Sequence, residues 1–383
     1  MRVPMLLAVM LCAVVVQVSG CGGGMIPTPT PVPAPACVPP SQPSFAYVLN
    51  GFTANSVSML TVNSCTGTLT PTTPATVPTG VNPEGMVVDP RGRFLYVANL
   101  VSNASDEATI SMFTIDATTG VLTPTTPPTV HTGFLPQGIG IDPTGKFVYT
   151  ANSDDNTVSM FVINPATGVL TPTVPATVAT GWSPLSVTVH PSGKFAYVSN
   201  QDDDTVSMYT INPNSGVLTP MSPATVPTGN SPFGLTVDPT GKFAYVPNAY
   251  SPNNTVSQFA IDPVSGALSP TTTAEVTVGN QPTSVAVDPT GKFAYVVNRA
   301  DNTVSAFKVD ASSGNLVPNG LVVQTGQQPF RIVTDAAGKF AFVVNENAGV
   351  SIFKINNSGT LTNAGMMFAG STPVSIALTG NAP

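Results

Sequence analysis

The chain has 383 residues, of which only 8% are charged, and its formal net charge is −7. No basic stretch could neutralise a phosphate backbone, so nucleic acid is excluded as a partner. Its 40 prolines and 33 glycines recur periodically, which favours short strands and turns over disorder, and no part of the repeated region has the period of an amphipathic helix.

Residues 1–20 read as an export leader: Arg2 gives a positive start, and the apolar run over 5–16 is too short to span a bilayer. Val18-Ser19-Gly20-Cys21 follows and resembles the bacterial lipobox, which implies cleavage before Cys21 and lipidation of that cysteine. Several acyl chains anchor a protein where a single one binds marginally. Gly22, in place of Asp, implies sorting to the outer membrane in a Gram-negative cell. Residues 21–43 form the lipidated Cys21 and a Gly/Pro-rich tether. Alternating proline extends such a tether by roughly 3 Å per residue, so the domain stands up to about 60 Å from the membrane. An exported, lipid-anchored envelope protein is expected, periplasmic or surface-exposed.

From residue 44 a Tyr-Val-x-Asn-like signal recurs seven times, starting at Tyr47, Tyr96, Tyr149, Tyr197, Tyr245, Tyr295 and Phe342, with spacings of 49, 53, 48, 48, 50 and 47 residues. That period predicts an array of small sheets. One unit shows the pattern: an apolar strand over 282–287, a tight Asp288-Pro-Thr-Gly291 turn, a strand over 292–298, a polar loop, a strand over 303–309, a turn at 310–314 and an outer strand from 315. The outer segments, such as TLTPTTPATVPTG, are rich in proline, which only an edge strand tolerates. The first Tyr-containing strand has no inner strand before it, and the strand at 373–379 has no blade after it. The expected fold is all-β over 44–383: a seven-bladed propeller of four-stranded antiparallel blades, with blade 1 closed by the C-terminal strand and the molecule a monomer.

Two further cysteines lie in this region and its approach. Cys65 occupies a turn tip where the third repeat has Ala166, and Cys37 precedes the first strand by seven residues. Both are expected on one face, paired as a disulfide, which the export compartment permits. Such a bond contributes about 3 kcal/mol in the chain-entropy model.

The DPTGKFAYVxN and NTVSxFxI blocks resemble the seven-bladed YVTN-repeat propellers of the lactonase-like superfamily, over about residues 44–380. The resemblance implies the propeller fold. Its members include proteins assigned as 6-phosphogluconolactonases, a muconate cycloisomerase and many envelope propellers without assigned chemistry, so activity does not follow from fold.

Candidate sites lie where repeats depart from one another. The loops between second and third strands carry Asp106, Glu107, Asp154, Asp155, Asp202, Asp203, Asp204, Asp301 and Glu346, opposed there only by Arg299. Asp202, Asp203 and Asp204 are the weak candidates for a Ca²⁺ site, but they lack EF-hand and RTX spacing; no metal and no cofactor is expected. Two residues after each inner-strand proline stand Gly85, Gly138, Ser186, Gly234, Ser284, Arg331 and Ser375, where Arg331 is the one long cation. One residue earlier stand Glu84, Gln137, Leu185, Phe233, Thr283, Phe330 and Val374, and the crossing loops add Phe134 and Trp182. A pocket of Glu84, Gln137 and Arg331 with Phe134, Trp182, Phe233 and Phe330 as its apolar rim is therefore expected. The alternative is that Arg331 pairs with Glu84 or an acidic loop residue as a structural plug. His190 replaces a turn aspartate and reads as structural, and His131 ends an outer strand far from the axis.

The expected function is a lipid-anchored binding module for a glycan, an envelope protein or a small molecule, engaging its partner through the acidic loop face. The alternative is a lactonase-like hydrolase acting outside the cytoplasm, with Glu84 as base and Arg331 stabilising negative charge. A single arginine argues against a phosphorylated lactone, which wants several cations.

Overall fold

The computed structural model describes residues 37, 43–100, 108–250, 254–320 and 322–380. The chain divides into two units, 1–38 and 39–383, and the fold described is that of the second. The leader, Cys21, most of the tether, and Asp106 and Glu107 lie outside the described residues.

Seven antiparallel sheets form a β-propeller. Each runs from an inner strand to an outer edge strand, proline-rich in blades 1 to 4, as in blade 2: Pro83–Val88, Phe94–Asn99, Thr109–Ile115 and Leu122–His131. The outer strands are largely exposed, and their pairing with the third strands slips in register beside the prolines; in blade 1, Leu60 pairs with Pro71 but Ser58 pairs with Thr76. The extra residues bulge outward, which accommodates prolines that cannot donate to a ladder. In blade 6 the outer strand breaks into Leu316–Pro318 and Val323–Gln324.

The core lies between blades. Strand pleating sends alternate side chains to opposite faces. In the second strand of blade 1, Tyr47 and Leu49 pack into blade 2, whereas Ala46 and Val48 pack into blade 7. All seven apolar clusters join neighbouring blades in this way. The repeated tyrosines add a latch: Tyr47, Tyr96, Tyr149, Tyr197, Tyr245 and Tyr295 each donate a hydroxyl hydrogen bond, of 2.7–3.0 Å, to a turn-glycine carbonyl of the following blade. Those turns need glycine twice over. Gly120, for example, has φ of +72°, and a Cβ there would collide with the Phe45 ring. The repeated asparagines are scaffold as well: Asn200 donates to Thr205 and Ser207, and the Ser207 hydroxyl accepts from Gly181 in the crossing loop.

The ring closes as the sequence predicts. The last strand, Pro373–Leu378, is the inner strand of blade 1 and pairs with Ser44–Asn50. Thr379 seals the join, its N–H donating to the Phe45 carbonyl while its hydroxyl accepts from the Phe45 N–H, both at 2.9 Å. Cys37 and Cys65 are each disulfide-bonded.

Candidate active site

The inner strands enclose a central cavity of about 330 Å³, in the size class of small-molecule sites. What enters it is decided by a shared irregularity. In blades 2, 4, 6 and 7 the ladder between inner and second strands shifts register at the residue after the proline, skipping Glu84, Leu185, Thr283 and Phe330. In blade 3 the slip spans Gln137 and Gly138. Bulges of this kind re-aim side chains and are over-represented beside active sites. Here the skipped Glu84, Gln137, Leu185, Thr283 and Phe330 line the cavity, whereas Val374, skipped in the same way in blade 1, does not.

Blade 5 departs furthest. Its regular inner strand is only Thr236–Val237, preceded by a single bridge from Pro232 to Asn248. Phe233 meets Phe330 of blade 7 edge to face at 5.3 Å, reaching past Thr283 of blade 6. The Thr283 hydroxyl donates to the Phe330 carbonyl at 2.8 Å. Both aromatic residues line the cavity.

Glu84 from blade 2, Gln137 from blade 3 and Arg331 from blade 7 all line this cavity. None of the three side chains makes a hydrogen bond or ion pair with another described residue. The other lining hydroxyls are engaged between or within blades: Thr188 donates to Leu235 and Thr236 to Val285, while Ser186 shares a hydrogen bond with Ser199. Glu84, Gln137 and Arg331 therefore hold the side-chain polar groups that face the cavity unengaged. Arg331 forms no ion pair with Glu84 or a loop carboxylate among the described residues, although Glu84 and Arg331 act on each other electrostatically across the cavity.

The surroundings of Glu84 disfavour its charged form. Burial pushes Glu84 up to about 7, with Glu346 adding to the rise and Arg331 and Arg299 opposing it. Burial draws Arg331 down, and Glu84 counters that; guanidinium keeps its charge regardless. A carboxyl with its titration near neutrality, in a cavity and opposite a cation, suits proton transfer at physiological pH.

The remaining sequence candidates fall elsewhere. Phe134 and Trp182 do not line the cavity; they stand 52% and 68% exposed on crossing loops, anchored by backbone N–H bonds to Asp155 and Asp203. Asp202 accepts from the Ser183 hydroxyl and Asp204 from the Ser231 N–H. Asp202, Asp203 and Asp204 thus take three separate partners, and no group of three or more metal-ligating side chains assembles among the described residues. The acidic loops are mainly caps for crossing segments, as short aspartate side chains often are. His190 is buried, hydrogen-bonded to Ser192 and the Gly241 carbonyl at 2.8 Å each.

Sequence reasoning missed one feature. Arg299 pairs with Glu346 at 2.8 Å, from adjacent blades, and its guanidinium carbon lies 5.6 Å from the centre of the Phe330 ring. Equivalent loop positions one repeat apart were the available signal.

A family model described as "Lactonase, 7-bladed beta-propeller" matches residues 40–182, 172–285 and 270–378. Among solved structures, a Bacteroides fragilis protein assigned as a 6-phosphogluconolactonase is similar over 88% of this chain and 98% of its own, with 24% identity and a TM-score of 0.75. The periplasmic gluconolactonase of Pseudomonas aeruginosa is similar over 89% of this chain and 100% of its own, with 21% identity and a TM-score of 0.74. At these identities the likeness is one of fold. No curated protein matches the chain.

Proposed function

From a chain that belongs to the lactonase family of seven-bladed β-propellers, we propose that it hydrolyses a lactone in its central cavity. The observation that carries this reading is the approach of Glu84 and Arg331, from blades 2 and 7, to one cavity with neither engaged by a protein partner. Ionised Glu84 takes a proton from water, and the oxygen adds to the lactone carbonyl carbon. Charge develops on the carbonyl oxygen, where Arg331 opposes it. The ring C–O bond then breaks, and the leaving oxygen collects the proton from Glu84. Gln137 supplies a further donor and acceptor for orienting the ring.

The substrate is a small lactone without phosphate. Arg331 is the cation of the cavity, and Arg299 nearby is already held by Glu346; a phosphate calls for more positive charge than that. The two neighbours named above are described as acting on phosphogluconolactone and gluconolactone, and the second substrate class fits the charge of this cavity better. The binding-module expectation lacks such support, since the exposed aromatics stand outside the cavity and the loop aspartates are engaged as caps.

The same reading places the protein outside the cytoplasm on a lipid anchor at Cys21, in line with its leader and with the periplasmic location in the name of the Pseudomonas relative. The test of activity is turnover by the purified chain of glucono-δ-lactone, 6-phosphogluconolactone and unsubstituted aliphatic lactones. Saturable opening of unphosphorylated rings is expected. A preference for the phosphorylated ring overturns the substrate assignment, and no turnover of any ring overturns the activity.

A further inference from the structure

The arginines of this propeller differ in how their charge is met. Arg93 contacts the Asp89 carboxylate at 3.4 Å, and Arg299 contacts Glu346 at 2.8 Å. Arg331 lines the central cavity and has no carboxylate, carbonyl or hydroxyl partner among the described residues. Arg331 is half-buried, leaving its guanidinium accessible from the cavity, and the planar fork of such a group matches a carboxylate in two parallel hydrogen bonds. A lactone is a neutral ester, but the hydroxy acid formed when it opens is a carboxylate. The unpaired cation therefore suits the opened ring better than the closed one.

The opposing charge in the cavity is Glu84. An incoming carboxylate would share about 330 Å³ with it, and two carboxylates in a confined, poorly solvated space do not both stay ionised. The charged groups acting on Glu84 are Arg331 and Arg299, which favour its ionised form, and Glu346, which opposes it; the charged group acting on Arg331 is Glu84. Since Arg299 and Glu346 neutralise one another across 2.8 Å, the balance in the cavity rests on Glu84 and Arg331.

We propose that the central cavity binds small hydroxycarboxylates on Arg331, each taken up together with one proton that neutralises Glu84. This rests on the reading of the cavity as the ligand site, and not on turnover. No bond in the ligand changes: one carboxylate enters from solution, one proton enters from solvent, and the Glu84 carboxylate becomes a carboxylic acid able to donate to the ligand. Burial already holds free Glu84 near a pKa of about 7, so the proton is largely absent before binding at pH 8 and largely present at pH 6. Affinity should therefore weaken as pH rises, approaching a tenfold loss per unit above the titration of free Glu84. Hydrolysis would then be restrained by its own product, more strongly at lower pH.

The experiment is isothermal titration calorimetry of the full chain with D-gluconate and with 4-hydroxybutyrate, each beside its neutral amide. It is run at pH 6, 7 and 8 in two buffers of different ionisation enthalpy, so that protons are counted directly. The expected result is at least one acid binding about tenfold or more tighter than its amide, the margin of one charge-assisted contact. Proton uptake should approach about one per ligand at pH 8 and fall to a small fraction at pH 6. Glu84→Gln should bind acid without proton uptake or pH dependence, and Arg331→Gln should lose the preference for acid over amide. The proposal is overturned if neither acid outbinds its amide, if binding takes up no proton at pH 8, or if Glu84→Gln takes up as much as wild type. Because no lactone is present, uptake without turnover would sink only the catalytic reading, and turnover without uptake only this one.

Discussion

At the scale of single residues, the site is written in departures from the repeat. Arg331 stood out because its counterparts are glycine or serine, and Glu84 and Gln137 because the other five residues at their position are apolar or threonine; all three line the central cavity. Partnership was not legible. Whether Arg331 meets Glu84 depends on side-chain reach across a channel, which spacing in a chain does not encode; the Arg299–Glu346 contact escaped for the same reason. A carboxyl raised to about 7 also has a thermodynamic signature. Between the unfolded pKa of about 4.3 and the folded value, the native state binds more protons than the unfolded one, so stability falls as pH rises through that window and levels off above it. Glu84→Gln removes this cost. Thermal melts should show the variant more stable than wild type at pH 8, by about 1–3 kcal/mol, and level with it at pH 4. A variant less stable than wild type at pH 8 would mean that Glu84 is structural. Arg331→Gln should lower kcat by about 10²–10³-fold, the usual loss for a donor to a developing oxyanion, with the melt little changed.

At the scale of the element, the blade was readable almost strand by strand, because pleating, turn chemistry and edge proline each leave a local mark. The inner-strand bulges were not readable. A register slip depends on the partner strand, and proline followed by a variable residue looks alike whether the ladder slips or breaks, as it does at Phe233 in blade 5. The tyrosine latch provides a test of blade coupling. Six junctions carry it, while the junction of blades 7 and 1 has Phe342 at the equivalent position, buried in the apolar cluster that joins those blades. Tyr197→Phe removes a 2.7 Å bond to the Gly266 carbonyl and should cost about 1–2 kcal/mol in denaturant unfolding. Phe342→Tyr should gain up to about 1 kcal/mol by completing the ring. Equal stability for Tyr197→Phe and wild type would show that apolar packing alone joins the blades.

At the scale of the whole molecule, closure and placement decide what a central cavity can do. The wall of blade 1 is the C-terminal strand, so ending the chain after Thr372 removes one side of the cavity together with the seal at Thr379. That truncation is expected to abolish cooperative melting, because seven inter-blade clusters lose their closed circuit; retained two-state melting at the native temperature would contradict the role given to closure. Radiolabelled palmitate should be incorporated by the natural chain and not by Cys21→Ser; equal labelling would rule out the anchor at that residue. The central claim is that Glu84 is the base of a lactone hydrolase, and kcat/KM for glucono-δ-lactone from pH 5 to 9 tests it most directly. The account predicts a rise with its midpoint near the Glu84 value of about 7, and in Glu84→Gln a flat profile lower by about 10²–10⁴-fold. A flat wild-type profile, or a variant that keeps its rate, would contradict it.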